Sequence, residues 1–256
     1  SVNAQVQLQR SSPQDNTGSE QNRLAIQYYQ NRDYEKSLAI FTELYGKDEN
    51  HVNYTYYLYS LLELREYREA EKLAKRHARK HSGQLRYQID IGFVYIRASE
   101  REKAQKKFDE VIDRLPASLS EIKMAANMFY TRGQTDYAIE AYRKGKELLG
   151  GEYSFDLELA TMFERNGNYP DMVESYLDYL SENPNGLESV KNKLQSALSR
   201  DIENSLPGIL REGLLVRYQD NPEEVYLNEL LLWLSIQQKD FDFAFIQARS
   251  LDRRFN

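Results

Sequence analysis

Residues 85–118, LRYQIDIGFVYIRASEREKAQKKFDEVIDRLPAS, contain two helical patterns joined by a short polar turn. In the first, Ile91, Gly92 and Tyr95, with separations of one, three and four residues, share one helix face. In the second, Ala104 and Phe108 stand four apart and do the same. The turn ASER is short enough to force the two helices to run antiparallel. Pro116 follows the second pattern, where its missing amide costs least. The stretch reads as one helical hairpin with a single apolar side.

The hairpin recurs along the chain. RDYEKSLAIF, REYREAEKLA, SEREKAQKKF, GQTDYAIEAY, GNYPDMVESY and KDFDFAFIQA align on Ser37, Ala70, Ala104, Ala138, Met172 and Ala244, with gaps of 33, 34, 34, 34 and 72. The last gap divides into 38 and 34 if Leu210 joins the series. Four residues after each comes a second ladder of Phe41, Ala74, Phe108, Tyr142, Tyr176, Leu214 and Ala248, on the same helix face. Upstream lies a first-helix pattern in Leu24, Ala25 and Tyr28, then Tyr57, Leu58 and Leu61, then Ala125, Ala126 and Phe129, then Leu159, Ala160 and Phe163. Each period is two helices. A hairpin of this size covers only one face, so neighbours must stack, and a fixed period of this length points to an elongated repeat architecture.

The composition agrees. Glycine (12) and proline (6) are too scarce for the turns of an all-β chain of 256 residues, and Leu, Glu, Lys, Arg and Ala favour helix. A net charge of −6 offers no overall attraction to nucleic acid or anionic lipid. The absence of cysteine excludes disulfides, thiolate zinc sites and cysteine nucleophiles. No apolar run reaches the roughly 20 residues that span a bilayer.

On Gly92, Tyr95, Ala104, Phe108 and Pro116 the chain resembles the tetratricopeptide repeat family, over about residues 19–256. The resemblance implies an all-α, right-handed α-solenoid of about seven antiparallel hairpins. Five units are expected at about 18–50, 51–84, 85–118, 119–152 and 153–186, with two more degenerate hairpins over 187–256. Residues 1–17 are expected to be a flexible lead-in. The large residue usual at the fourth position is instead Gln21, Tyr54, Gln88, Ile122 and Asp156, and the sixth unit is expected to carry an insertion of four residues before its helices and has Asp201 in place of an aromatic.

No chemistry-bearing motif emerges. The chain has no GxSxG, phosphate loop or GxGxxG, so it is expected not to be an enzyme and to need no cofactor. His77 and His81 stand four apart but lack the glutamate of the zinc-protease pattern, and are read as surface residues of a basic helix running from Lys72 to His81. No metal site is expected.

The resemblance implies that a peptide or partner helix of another protein binds in a groove lined by the first helix of each unit. Counted from the unit starts, groove positions include Tyr29, Tyr59, Leu62, Arg86, Ile89, Phe93, Arg97, Lys123, Asn127, Tyr130 and Arg165. Of these, Tyr29, Tyr59, Arg86, Phe93, Arg97, Lys123, Asn127, Tyr130 and Arg165 are the binding candidates, because exposed rings beside arginines make interface anchors. Lys123 and Asn127 match one helix of the chaperone-tail clamp of the family, but Glu158 stands where its next Asn belongs and repels a carboxylate. Within the four tyrosines of HVNYTYYLYS, residues 51–60, Tyr54 and Tyr57 are assigned to the buried stripe, Tyr59 to the groove and Tyr56 to its margin. Two other readings are a carbohydrate or small-ligand module of a bacterial envelope that stacks sugars on the tyrosines, and self-assembly through Leu231, Trp233 and Phe245. The apolar last hairpin, with Leu231, Trp233 and Leu234, suggests that further protein follows Asn256 or that a partner covers this end. SVNAQVQ resembles the end of a secretory leader, with Val2 and Ala4 at the small positions, which gives a periplasmic or envelope location, and otherwise a cytoplasmic one.

Overall fold

The computed structural model describes residues 13–255, with side chains described over 18–249; the leader remnant and the first twelve residues of the expected lead-in lie outside the described residues. Fourteen α-helices and no strand occur among the described residues. They fall into two compact units, divided after Arg114.

The first unit holds α1 (Pro13–Gln30), α2 (Tyr34–Lys47), α3 (His51–Glu63), α4 (Tyr67–Lys80), α5 (Leu85–Arg97) and α6 (Arg101–Asp113). The second holds α7 (Leu119–Thr131), α8 (Thr135–Leu149), α9 (Asp156–Arg165), α10 (Tyr169–Glu182), α11 (Leu187–Arg200), α12 (Leu206–Asp220), α13 (Val225–Gln237) and α14 (Phe241–Phe255). A single 3₁₀ turn at Pro184–Gly186 leads into α11. Helix α1 begins at Pro13, inside the stretch whose composition reads as a lead-in.

Six of the seven turns within pairs are built alike. The residue that opens each aligned segment, Arg32, Arg65, Ser99, Gly133, Gly167 and Lys239, is left-handed, with φ of 64°, 62°, 63°, 72°, 72° and 57°. The next residue's amide then donates to the carbonyl five positions back, as in Asp33 to Tyr28 (2.9 Å), Glu66 to Leu61 (2.8 Å) and Glu100 to Tyr95 (2.8 Å). This closing bond satisfies a terminal carbonyl of the first helix and reverses the chain at once. Only Gly133 and Gly167 occupy the position without the usual steric cost of a side chain.

The ladder residues Ser37, Ala70, Ala104, Ala138, Met172, Leu210 and Ala244 are all buried, as are Phe41, Ala74, Phe108, Tyr142, Tyr176 and Leu214. The phase drifts at the two ends of the series: Leu24 is 44 % exposed, and Ala248 is exposed. Small residues set the closest approaches. A Cβ on Gly92 would stand 2.2 Å from Phe108 Cε1, so the ring of α6 lies directly on the backbone of α5. Gly145 of α8 does the same for Ile122 Cγ2, at 2.6 Å, and Phe155 Cε2, at 2.9 Å.

The sixth pair departs from the pattern. The close packing found within every other pair is missing between α11 and α12, and α12 packs instead on α10 and α13. Gly213 admits Val173 at 3.0 Å from its Cβ position, and Arg217 forks onto Glu174, at 2.7 Å, and Asp178. The connection between α11 and α12 runs over 201–205, five residues against three in every other pair, so part of the extra length lies between the helices of the unit and not before them as expected; there Asp201 accepts the amide of Leu206 at 2.7 Å.

The basic face of α4 differs from its sequence reading. His77 is fully buried, not a surface residue, because the helix turns it inward with Ala70, Leu73 and Ala74. Its ring stacks on Tyr54 at 3.9 Å and 10°, its Nδ1 shares a 2.9 Å hydrogen bond with the Tyr45 hydroxyl, and Nε2 has no partner. His81 and Tyr87 lie against it at centroid distances of 4.4 Å each, and His51 reaches Tyr87 across 3.4 Å. All three histidines of the chain thus converge on one cluster made by α2, α3, α4 and α5. Burial, and then the charge of His81, lower the His77 pKa from 6.5 to about 4.

Candidate protein-binding face

In the first unit, α1, α3 and α5 bring Tyr29, Tyr59 and Phe93 onto one side. Each ring is half-buried. Tyr29 meets Tyr34 and Tyr56 edge-on, at 5.3 and 5.4 Å, and Tyr59 meets Phe93 edge-on at 6.4 Å. Burial, followed by the charge of Glu63 and the neighbouring Tyr34 and Tyr59, pushes the Tyr29 hydroxyl up to about 12. Tyr29 therefore stays neutral and is a hydrogen-bond donor throughout the ordinary pH range.

Arg97 edges this strip. It donates to Glu63 at 3.0 Å and to the Leu62 carbonyl at 3.2 Å, with its guanidinium 6.0 Å from the Phe93 centroid. The two-point anchor fixes the guanidinium plane and leaves its remaining donors for a ligand. Arg86 stands two turns before Phe93 and is half-buried. Its charge bears on the Tyr87 hydroxyl, whose pKa burial raises and Arg86 draws back.

The other groove positions of this unit divide. Leu62 and Ile89 are fully buried and belong to the core. Tyr54 is core as the register requires, whereas Tyr57 is only half-buried and packs on Ala25, Phe41 and Leu44. Tyr56 is less a marginal binding ring than part of the packing, since it stacks on Phe41 at 5.1 Å and 10°. Phe41 is itself completely covered, so the stack fixes Tyr56 between α2 and α3.

In the second unit the candidates separate into engaged and available groups. Lys123 is engaged: its Nζ lies 2.8 Å from Glu158 and donates to the Tyr153 hydroxyl at 3.0 Å, and Tyr153 in turn donates to Glu158 at 2.7 Å. The Glu158 hydrogen bond leads the causes that raise the Lys123 pKa. Arg165 lies over the Tyr130 ring at 4.8 Å, and Asn127 is exposed. Beside Arg165, Glu164 holds Arg200 at 2.5 Å across to α11.

No group of His, Cys, Asp or Glu among the described residues is placed to hold a metal ion, and no helix among them is long and apolar enough to cross a membrane. The class is set by the chain's own geometry: an all-α repeat of helical hairpins near 34 residues, the fold type that the tetratricopeptide resemblance implies. No protein-family model and no curated protein matches the chain. Among solved structures it is similar to a thermophilic TPR protein of Thermus thermophilus, with 16 % identity, TM-score 0.39, and 71 % of this chain and 98 % of that one covered. It is likewise similar to a tetratricopeptide repeat protein of Parabacteroides merdae, with 12 % identity, TM-score 0.36 and 94 % of each chain covered. A third is the C-terminal part of a TPR repeat-containing protein of Cytophaga hutchinsonii, with 18 % identity, TM-score 0.36, and 88 % and 92 % covered. At these values the likeness is one of fold and carries no function.

Proposed function

We propose that the chain is a non-catalytic scaffold that binds another protein, holding a peptide or helix against the first helices of its repeats. The observation that carries this is the strip of half-buried rings Tyr29, Tyr59 and Phe93, one per repeat, edged by the anchored guanidinium of Arg97. Rings already fixed by edge contacts lose little entropy on binding, and aromatic residues with arginine dominate interface energies. In the second unit Tyr130, Arg165 and Asn127 provide a smaller surface of the same kind, while Lys123 serves the fold through Glu158.

The test places a photo-crosslinking amino acid at Tyr59 of the whole chain in its native host. Crosslinking to one protein, lost when Phe93→Ala is added while the helical signal is unchanged, is the expected result. Crosslinking that survives Phe93→Ala, or products no different from those of a crosslinker at exposed Arg68, refutes this face.

A further inference from the structure

Helix α14 turns Ala244 into the fold and leaves an apolar face outward, where Phe241, Phe245 and Ile246 are 64 %, 65 % and 61 % exposed. The helix is held in place from the other side. Arg211 of α12 reaches Asp240, just before α14, at 3.1 Å, and lies 4.9 Å from the Phe243 centroid. Of the three residues read from sequence as a self-assembly surface, Leu231 is buried and Trp233 half-buried, so only Phe245 is fully presented.

Ile246 stands two residues after a ladder position. Its counterparts in the six earlier periods are Ala39, Lys72, Lys106, Glu140, Glu174 and Glu212, all exposed. No repeat of this chain covers that outer position, so the stacking of one more hairpin does not account for an isoleucine continuous with two exposed rings.

The charges give the face a direction. At the helical angle per residue, Phe245 and Ile246 fall on either side of a line that carries Asp242 a turn before them and Arg249 a turn after. Asp242 and Arg249 are exposed, and neither forms an ion pair with a described residue. Both stand about 5 Å along the axis from the midpoint between residues 245 and 246, on opposite sides of it.

We propose that two copies of the chain associate through α14, antiparallel, about a two-fold axis at this midpoint. Phe245 of each copy then packs on Ile246 of the other, and Asp242 of each meets Arg249 of the other, so every contact is made twice. A parallel pairing sets Asp242 on Asp242 and Arg249 on Arg249, which selects against it. The three exposed side chains offer roughly 350 Å² per copy, the apolar centre of an interface at the small end of specific ones, so the dimer is weak and reversible. The aromatic strip of the first unit takes no part in it.

The test is sedimentation velocity of the whole chain from the micromolar towards the millimolar range, where a monomer–dimer equilibrium is expected. Asp242→Arg and Arg249→Asp each set like charges together, and each should weaken the dimer at least about tenfold. The two changes combined restore the pairing with signs exchanged and should bring association back to within about threefold of the parent. All are exposed positions, and unchanged helical dichroism checks the fold. The chain has no cysteine, which permits a second measurement independent of charge. When Asp242→Cys and Arg249→Cys chains are mixed and mildly oxidised, disulfides should join unlike chains in preference to like ones. A chain monomeric throughout, a dimer indifferent to either single reversal, a double reversal no better than the singles, or disulfides without that preference each overturns the proposal.

Discussion

Lowering the pH should unfold the first unit through His77. In the native chain this imidazole is neutral, because burial and then the nearby charge of His81 hold its pKa at about 4, against an ordinary value of 6.5. Unfolding releases it to water, so between these two values the unfolded chain binds the extra proton. Stability is then highest above the unfolded pKa and falls as the pH drops through the window from about 6.5 to about 4. The groups that face the ring explain why nothing rescues the cation. Tyr45 comes from α2, Tyr54 and His51 from α3, Lys80 from the last turn of α4 with His81 directly after it, and Tyr87 from α5; Glu49, just after α2, favours the cation, and the buried carboxylate of Asp90 on α5 acts on the neighbouring Tyr54 and Tyr87 hydroxyls. Glu49 is already paired with Lys80 at 2.7 Å.

The two pKa values correspond to a loss of about 2 kcal/mol between roughly pH 7.5 and pH 5, approaching about 3 kcal/mol at lower pH. Urea unfolding followed by tyrosine near-ultraviolet dichroism measures it, and amide exchange in α3 to α5 assigns it to the first unit. His77→Phe keeps the stack on Tyr54 but cannot titrate. It should begin less stable at neutral pH by about 1–3 kcal/mol, since the buried Tyr45 hydroxyl loses its partner. Its stability should then change little down to about pH 5. If His77→Phe loses as much stability as the parent over that range, the buried imidazole is not the acid-sensitive group and the reasoning fails.

Gly92→Ala should cost about 1–3 kcal/mol in thermal or urea unfolding, because the new methyl meets the Phe108 ring. Phe108→Ala alone should cost about 3–5 kcal/mol, and the double change less than the two together, because each vacates space the other needs. Arg65→Gly should stabilise the first unit by about 0.5–1 kcal/mol, as the left-handed turn position no longer carries a side chain; a destabilisation there would show that Arg65 does something besides turn the chain.

The hairpin period was legible because it rests on small and apolar residues at fixed offsets, and these are the residues buried at the helix contacts. The turn geometry that enforces the period was not. Four of its six left-handed residues are Arg32, Arg65, Ser99 and Lys239, so no glycine signal marks them. The aromatic strip was legible from register alone, but register cannot tell a half-buried ring from a buried side chain, and Leu62 and Ile89 went to the core. His77 was misplaced for a related reason: the basic residues around it dominate the local composition, while its own phase matches Ala70, Leu73 and Ala74. Lys123 was legible as a groove position, but its partners Tyr153 and Glu158 lie about thirty residues on in sequence, beyond any local pattern.

The irregular sixth pair has a consequence for how this chain can be shortened or lengthened. A repeat whose two helices close on each other can be excised or duplicated as a cassette, since the cut surfaces on either side are alike. Helix α12 closes on α10 and α13 instead, with Arg217 locked onto Glu174 and Asp178. Removing the sixth period would strip support from the pairs before and after it. Modular editing of this protein should therefore succeed at a period such as 51–84, which lies wholly within the first unit, and fail at the sixth, where neighbouring repeats have become interdependent.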